Sequence, residues 1–557
     1  MLRNRLFLLL SALGLIVASV VGYSIFKMAA KGAHAALIPK DAYLAFCVNL
    51  PSLGSKIDLK SLEDMELFDE IKNLTKYSYD RGVLSKAIRN PKKSGIKWHS
   101  KLYFFYGSNA DDVQINGSIF CIANEKKFEK LLKDLDVDNN IQREPGFNYL
   151  HLGGNDCVAW NSGVAVTFSA DDQESEYLKQ EVEKIVKTNW NKNKERSASF
   201  EEFCASDVDF SYWSDFNLTR KTAASNPINK ITKEMDIESF SQFSAVSFMD
   251  NSIEIKHKYY VQKDGEPLEI LKENGIGDAH LSMVSEKDIY GMLALNLNME
   301  SCMDLLYSGD EIKESMDAFF KEYGISKKEL KSMFTGEFSL SMSGFDAFSD
   351  TSTATVKDES YMYSYPNERF LGAYGYEPLY YEYRKPKYPT LVFAASMKNP
   401  EVLKNYLEKN GRKPNADGVY ELYNSYSMDA YGVLCNQGFM ITNSWVTALE
   451  LQRLREFKTP KGAYKSVVQK TPYSAYFALN PSNYPAPLKK YMEDEMGFKV
   501  YNAMLQFMNE FSHFESHYED NMQVATIHMN KGSKKNSLMR MLEMINGLLE
   551  EKALGNM

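Results

Sequence analysis

The segment Lys40-Asp41-Ala42-Tyr43-Leu44-Ala45-Phe46-Cys47-Val48-Asn49-Leu50 returns 247 positions later as Lys287-Asp288-Ile289-Tyr290-Gly291-Met292-Leu293-Ala294-Leu295-Asn296-Leu297. Lys-Asp, Tyr and Asn-Leu are retained. Further matches follow in the same order. Phe128, Leu131 and Leu132 correspond to Leu403, Tyr406 and Leu407, Asn161-Ser162-Gly163 to Asn436-Gln437-Gly438, and Thr167 to Thr442, all 275 positions apart. Near the ends, Asp250-Asn251 and His257 correspond to Asp520-Asn521 and His528. A chain made of two copies must fold each copy into the same set of elements, and this removes most alternatives before any propensity is weighed. The copies are expected at residues 38–264 and 284–532.

Within a copy, Tyr43 to Leu50 is an apolar and aromatic run bounded by turn residues, the pattern of a strand. Leu59 to Leu74 and Phe128 to Leu135 have helical spacing. Asn161-Ser162-Gly163 and Asp250-Asn251 sit between apolar stretches as hairpin turns, because Asn and Gly tolerate positive φ. The expected fold class is α+β: an internal duplication of one antiparallel-sheet-plus-helices unit, preceded by a single N-terminal transmembrane helix. A connecting helix is expected at Glu266 to Glu273 within the linker 265–283, and a C-terminal helix at Ser537 to Glu551 within 533–557. The growth of the offset implies about 28 extra residues in the second copy. Their place is the Tyr-rich stretch 345–389, since Tyr361, Tyr363, Tyr365, Tyr374, Tyr376, Tyr380, Tyr381, Tyr383 and Tyr388 crowd together there.

Leu6 to Phe26 is uncharged and apolar, with Arg3 and Arg5 before it and Lys27 and Lys31 after it. A helix of that length covers a hydrocarbon layer of about 30 Å. It is read as an anchor (residues 1–27) with a linker (28–37), which places the chain in the inner membrane with its bulk on the periplasmic side. Ala33-His34-Ala35 is a signal-cleavage pattern and supplies the alternative, release to the periplasm after a cut near Ala35.

Ile38-Pro39-Lys40-Asp41-Ala42, followed by Val48-Asn49-Leu50-Pro51-Ser52-Leu53, resembles the opening of a family of uncharacterised Bacteroidetes-type envelope proteins known as a domain of unknown function. The resemblance extends over nearly everything after residue 38. It implies an envelope location and brings no activity or catalytic residues. Members often begin with a lipoprotein signal, whereas the first cysteine here is Cys47.

Chemistry is sparse. There is no G-x-S-x-G, P-loop, G-x-G-x-x-G after a strand, or H-E-x-x-H. A net charge of −9 argues against a broad nucleic-acid surface. Six cysteines without C-x-x-C spacing point to neither a disulfide scaffold nor a zinc ribbon. His513-Phe514-Glu515-Ser516-His517 with Asp520 is the best metal candidate. If the segment is a strand, however, His513 and His517 stand roughly 13 Å apart and cannot share an ion. A polar strand face is therefore the preferred reading, with no metal and no cofactor. His257 and His528, the histidines shared by the copies, read as structural, as do Lys40/Lys287, Asp41/Asp288 and Asn49/Asn296. Tyr361, Tyr363, Tyr365, Tyr374, Tyr376, Tyr380, Tyr381 and Tyr383 are the candidate partner-binding residues, for a protein or glycan. The functional expectation is a non-catalytic, membrane-anchored envelope protein that acts as a binding or scaffold module. The alternatives are an envelope hydrolase with a site assembled from distant segments, and a glycan-binding protein that uses the Tyr-rich insertion.

Overall fold

The computed structural model describes residues 33–555 except for 68–82, 188–196, 217–238, 345–353, 358–379, 384–388, 454–462 and breaks of one to four residues. Its strands are β1 (Ala42–Asn49), β2 (Lys101–Ser108), β3 (Gln114–Cys121), β4 (Gln142–Glu144), β5 (Phe147–Gly153), β6 (Asp156–Trp160), β7 (Val164–Ala170), β8 (Phe210–Asp215), β9 (Ser239–Phe248) and β10 (Ser252–Lys263). They continue with β11 (Glu266–Pro267), β12 (Ile289–Asn296), β13 (Phe334–Ser343), β14 (Ala354–Lys357), β15 (Tyr380–Tyr383) and β16 (Thr390–Met397). The last six are β17 (Tyr420–Asn424), β18 (Asp429–Leu434), β19 (Gly438–Thr442), β20 (Tyr473–Ala478), β21 (Phe511–Glu519) and β22 (Met522–Met529).

Twenty of these strands form one sheet, and β14 and β15 form a separate pair. In the large sheet every pairing is antiparallel. Its order runs β4-β5-β6-β7-β3-β2-β1-β8-β9-β10-β22-β21-β20-β12-β13-β16-β19-β18-β17, with β11 on the far end of β10. β1 thus lies between β2 and β8, as β12 lies between β13 and β20.

This corrects the expected fold class. Two separate α+β units are not what the described residues form; they are strand-rich and built on one continuous sheet. The join is β10 against β22, from Ser252↔His528 to His257↔Gln523. Left apart, each would present a row of unpaired backbone groups, and pairing removes both edges. Among the described residues no helix is long and apolar enough to cross a membrane. Leu6 to Phe26 lies outside the described residues, as does most of the helix expected at Leu59 to Leu74. The connecting helix expected at Glu266 to Glu273 is also corrected. Glu266 and Pro267 pair with β10, and the backbone further on bonds to Asn296 and Asn298 beside the end of β12.

Successive residues of a strand face opposite sides of a sheet, and both sides are used. From β1, Ala45 and Cys47 join a core with Tyr103, Phe105, Phe147 and Tyr149, covered by α3 (Ser175–Lys187) and α4 (Ala198–Ala205). Phe46 and Val48 point the other way, to a core holding Leu53 of α1 (Leu50–Ser55), Phe128 of α2 (Glu125–Lys133) and Trp160. That second core is completed by the chain's end, since α7 (Ser537–Gly555) inserts Leu538, Met539 and Leu542 there. Polar ties fix it: Ser537 N donates to Met249 O at 2.9 Å and Leu67 N to Asn546 Oδ1 at 2.8 Å.

Fully buried Asp209 fastens the strand ends. It accepts from Ser52 Oγ (2.7 Å), Lys56 Nζ (2.5 Å) and the Phe248 amide (2.6 Å), which ties α1 to β8 and β9. All six cysteines are unpaired as disulfides.

Candidate metal centre

The hairpin β21–β22 turns at Asn521, whose φ of 60° is the left-handed conformation that Asn tolerates. Pairing outward from the turn sets Glu519 against Met522 and, further along, His513 against His528. Side chains of directly paired residues share a face, with Cβ atoms about 5 Å apart. Glu515, two residues after His513, shares that face as well.

These three side chains converge. Among the described residues, His513, Glu515 and His528 are the one group of three potential metal ligands whose donor atoms all lie within 4.8 Å of one another. His528 Nε2 is 3.0 Å from Glu515 Oε1, and His513 Nε2 is 3.9 Å from Glu515 Oε2. The imidazoles are stacked, with centroids 4.3 Å apart and an interplanar angle of 15°. Two ligands on a tetrahedral zinc ion with bonds near 2.0–2.1 Å are about 3.4 Å apart, and the observed separations bracket that value. His513 Nδ1 lies 2.9 Å from Ser512 Oγ, so a second partner orients the ring and leaves Nε2 for the centre. Tyr476 of β20 packs beside His513.

The protonation states suit ligation. Burial, then the positive charge that His528 can carry, holds His513 below the ordinary histidine value. The hydrogen bond from His528 holds Glu515 below the usual carboxylate range. At neutral pH the carboxylate is ionised and His513 has a free lone pair, the forms a metal requires. The three side chains keep 25–33% of their surface exposed, so the centre opens to solvent.

His517 does not take part. It lies further along β21, bonded to Glu519 at 2.9 Å. Read as a strand, the segment His513 to His517 separates its two histidines for the reason given above, and the second histidine of the group comes instead from across the hairpin. Asp520 lies outside the described residues. His257 and His528 are not structural counterparts. His257 is paired with Gln523, five residues from His528, so the two histidines face opposite sides of the sheet. His257 bonds to Ser244 through Nδ1, leaves Nε2 buried without a partner, and is kept neutral by burial.

The remaining sequence candidates fall elsewhere. Lys40 and Asp41 form the turn before β1, and Lys287 and Asp288 lie outside the described residues. Asn49 caps α1, accepting from Ser52 N at 3.3 Å, and donates to Asp207 at 3.0 Å. Asn296 donates to the carbonyls of Asn274 and Gly275. Tyr361, Tyr363, Tyr365, Tyr374 and Tyr376 lie outside the described residues. The backbone of Tyr380, Tyr381 and Tyr383 forms β15, paired with β14 apart from the main sheet.

A family model described as a domain of unknown function (DUF4836) matches residues 34–538. No curated protein and no solved structure matches the chain.

Proposed function

We propose that this chain, which belongs to the DUF4836 family of domains of unknown function, is a metal-binding protein whose centre is His513, Glu515 and His528. The observation that carries this reading is the convergence of the three donor atoms within 4.8 Å on one half-buried strand face. Two imidazole nitrogens and a carboxylate oxygen suit zinc and its borderline neighbours rather than calcium or magnesium, which prefer all-oxygen sets. The role read here is that of a non-catalytic binding module of the cell envelope, of the Bacteroidetes type. The supports for that location are the opening Ile38 to Leu53 and the apolar run Leu6 to Phe26. The Tyr-rich stretch 345–389 belongs to the same reading as a surface for a protein or glycan, on composition alone.

A second reading, an envelope hydrolase, draws on one feature of the centre. Three protein ligands with solvent access leave a coordination position for water, as hydrolytic zinc sites do.

The test is zinc titration of the purified full-length chain in detergent, with bound metal counted after dialysis. The expected result is one zinc per chain, lost in Glu515→Ala and His528→Ala and kept in His517→Ala. A chain that retains no zinc, or Glu515→Ala and His528→Ala variants that retain as much as wild type, overturns the proposal. Zinc-dependent cleavage of ester or peptide substrates that disappears in Glu515→Ala favours the second reading over the first.

A further inference from the structure

Outside the β21–β22 hairpin, the approach to β2 and the first turn of α2 line a cavity of about 750 Å³. Its wall is held in place. Trp98 Nε1 donates to Ser94 Oγ at 3.0 Å and Pro91 O at 3.3 Å, and Ser94 Oγ donates to Pro91 O at 2.8 Å. Gly95 O accepts from the amides of Ala123 (2.8 Å) and Asn124 (3.0 Å). Gly95 has a φ of +76°, and a Cβ there would stand 2.4 Å from Asn124 O and Phe128 N, so the wall lies directly on the helix. Only glycine allows that approach.

The lining is one-sided in charge. Lys92, Lys97 and Lys127 contribute ammonium groups, His99 contributes an imidazole, and no carboxylate lines the cavity. The nearest acids of α2 are engaged elsewhere. Glu125 accepts from Asn148 Nδ2 at 2.9 Å, and Glu129 from Arg143 at 3.1 Å, both across from the β4–β5 hairpin. Burial, then the charge of Lys97, keeps His99 neutral at pH 7, so it offers a hydrogen bond rather than a charge. In a chain with 65 basic and 74 acidic residues, three cations around one rigid concavity stand out against the net charge. The volume falls within the range of small-molecule sites.

We propose that this cavity binds a small organic oxyanion of at least two negative charges, held by Lys92, Lys97 and Lys127. Lysine ammonium groups act as point charges with rotatable donors, which suits phosphate or carboxylate oxygens that need not be coplanar. The two sources of that chemistry, a phosphate ester and a polycarboxylate, are separated by the probes.

The experiment is calorimetric titration of chelator-treated full-length chain with inorganic pyrophosphate and, separately, with citrate. Chelation removes any signal from anion coordinated at a metal on His513. Saturable binding of one or both probes is expected, weakened on the order of tenfold by Lys97→Gln and again by Lys127→Gln, and weakened further by salt. Lys127 is exposed and Lys97 half-buried, so neither belongs to a core, and an unchanged thermal midpoint in the variants verifies that the fold is kept. Absence of binding by both probes, or wild-type affinity in the doubly substituted chain, overturns the proposal.

Discussion

His280, in α5 (Asp278–Leu281), has no exposed surface, and both of its ring nitrogens are engaged by serines: Nδ1 with Ser396 Oγ at 2.7 Å and Nε2 with Ser339 Oγ at 2.8 Å. A hydroxyl can donate or accept, so the pair satisfies the neutral ring. Burial pushes the histidine down to about 4, opposed by the weaker pull of Glu337. In the unfolded chain the ring titrates near 6.5. Between those values the unfolded state holds a proton that the folded state refuses. The stabilisation is therefore complete above pH 6.5, falls as the pH drops, and is gone near pH 4. Its ceiling is about 3 kcal/mol at 1.36 kcal/mol per unit. The thermal midpoint of His280→Gln should therefore fall less between pH 7 and pH 4.5 than that of wild type. Parallel curves for the two proteins would show that His280 carries none of the acid sensitivity. Asp209 gives a second expectation at this scale. Asp209→Ala strands the Lys56 ammonium and the Phe248 amide around a buried gap, at a cost of about 3 kcal/mol or more. Chemical denaturation measures it, and a loss below 1 kcal/mol would mean that the pair behaves as a surface ion pair.

Among the elements, the hairpin β21–β22 shows how far a sequence can be read. A two-residue Asp520-Asn521 turn sets Glu519 opposite Met522, and counting six residues outward on each side places His513 opposite His528. The centre was thus legible once the turn was fixed, because a strand repeats every two residues and a tight turn determines register. Ligand spacing along a single strand does not reveal it, since the second histidine lies on the partner strand. The strands around Tyr43 and Tyr290 were legible for the same local reason: apolar runs bounded by turn residues. Glu266 to Glu273 was not. Its Pro267 and apolar spacing suit a helix, but the open end of β10 and the backbone beyond β12 offered hydrogen bonds that the local pattern does not reveal. The pairing of β10 with β22 was equally hidden, because it joins residues with no sequence proximity, and nothing in either strand names its partner.

Over the whole molecule, two features make the halves depend on one another: the β10–β22 seam and the return of α7 to the core under β1. Leu538, Met539 and Leu542 are nearly inaccessible, and they close a cluster with Leu53, Leu67 and Phe248. Withdrawing three such side chains forfeits roughly 4–9 kcal/mol as an upper bound. It also exposes the apolar surface they cover. The loss falls on the first half, although the helix is encoded after the second. The intact chain should therefore unfold in a single calorimetric transition, because neither half keeps its own stability once the other opens. A chain truncated after Lys535 should unfold in two, with the earlier belonging to the half that has lost its helix. Tryptophan emission assigns that transition, since Trp98, Trp160 and Trp213 are buried in the first half and the partly buried Trp445 lies in the second. If the truncated chain melts in one step at the wild-type midpoint, α7 is dispensable and the halves are held together by the seam alone.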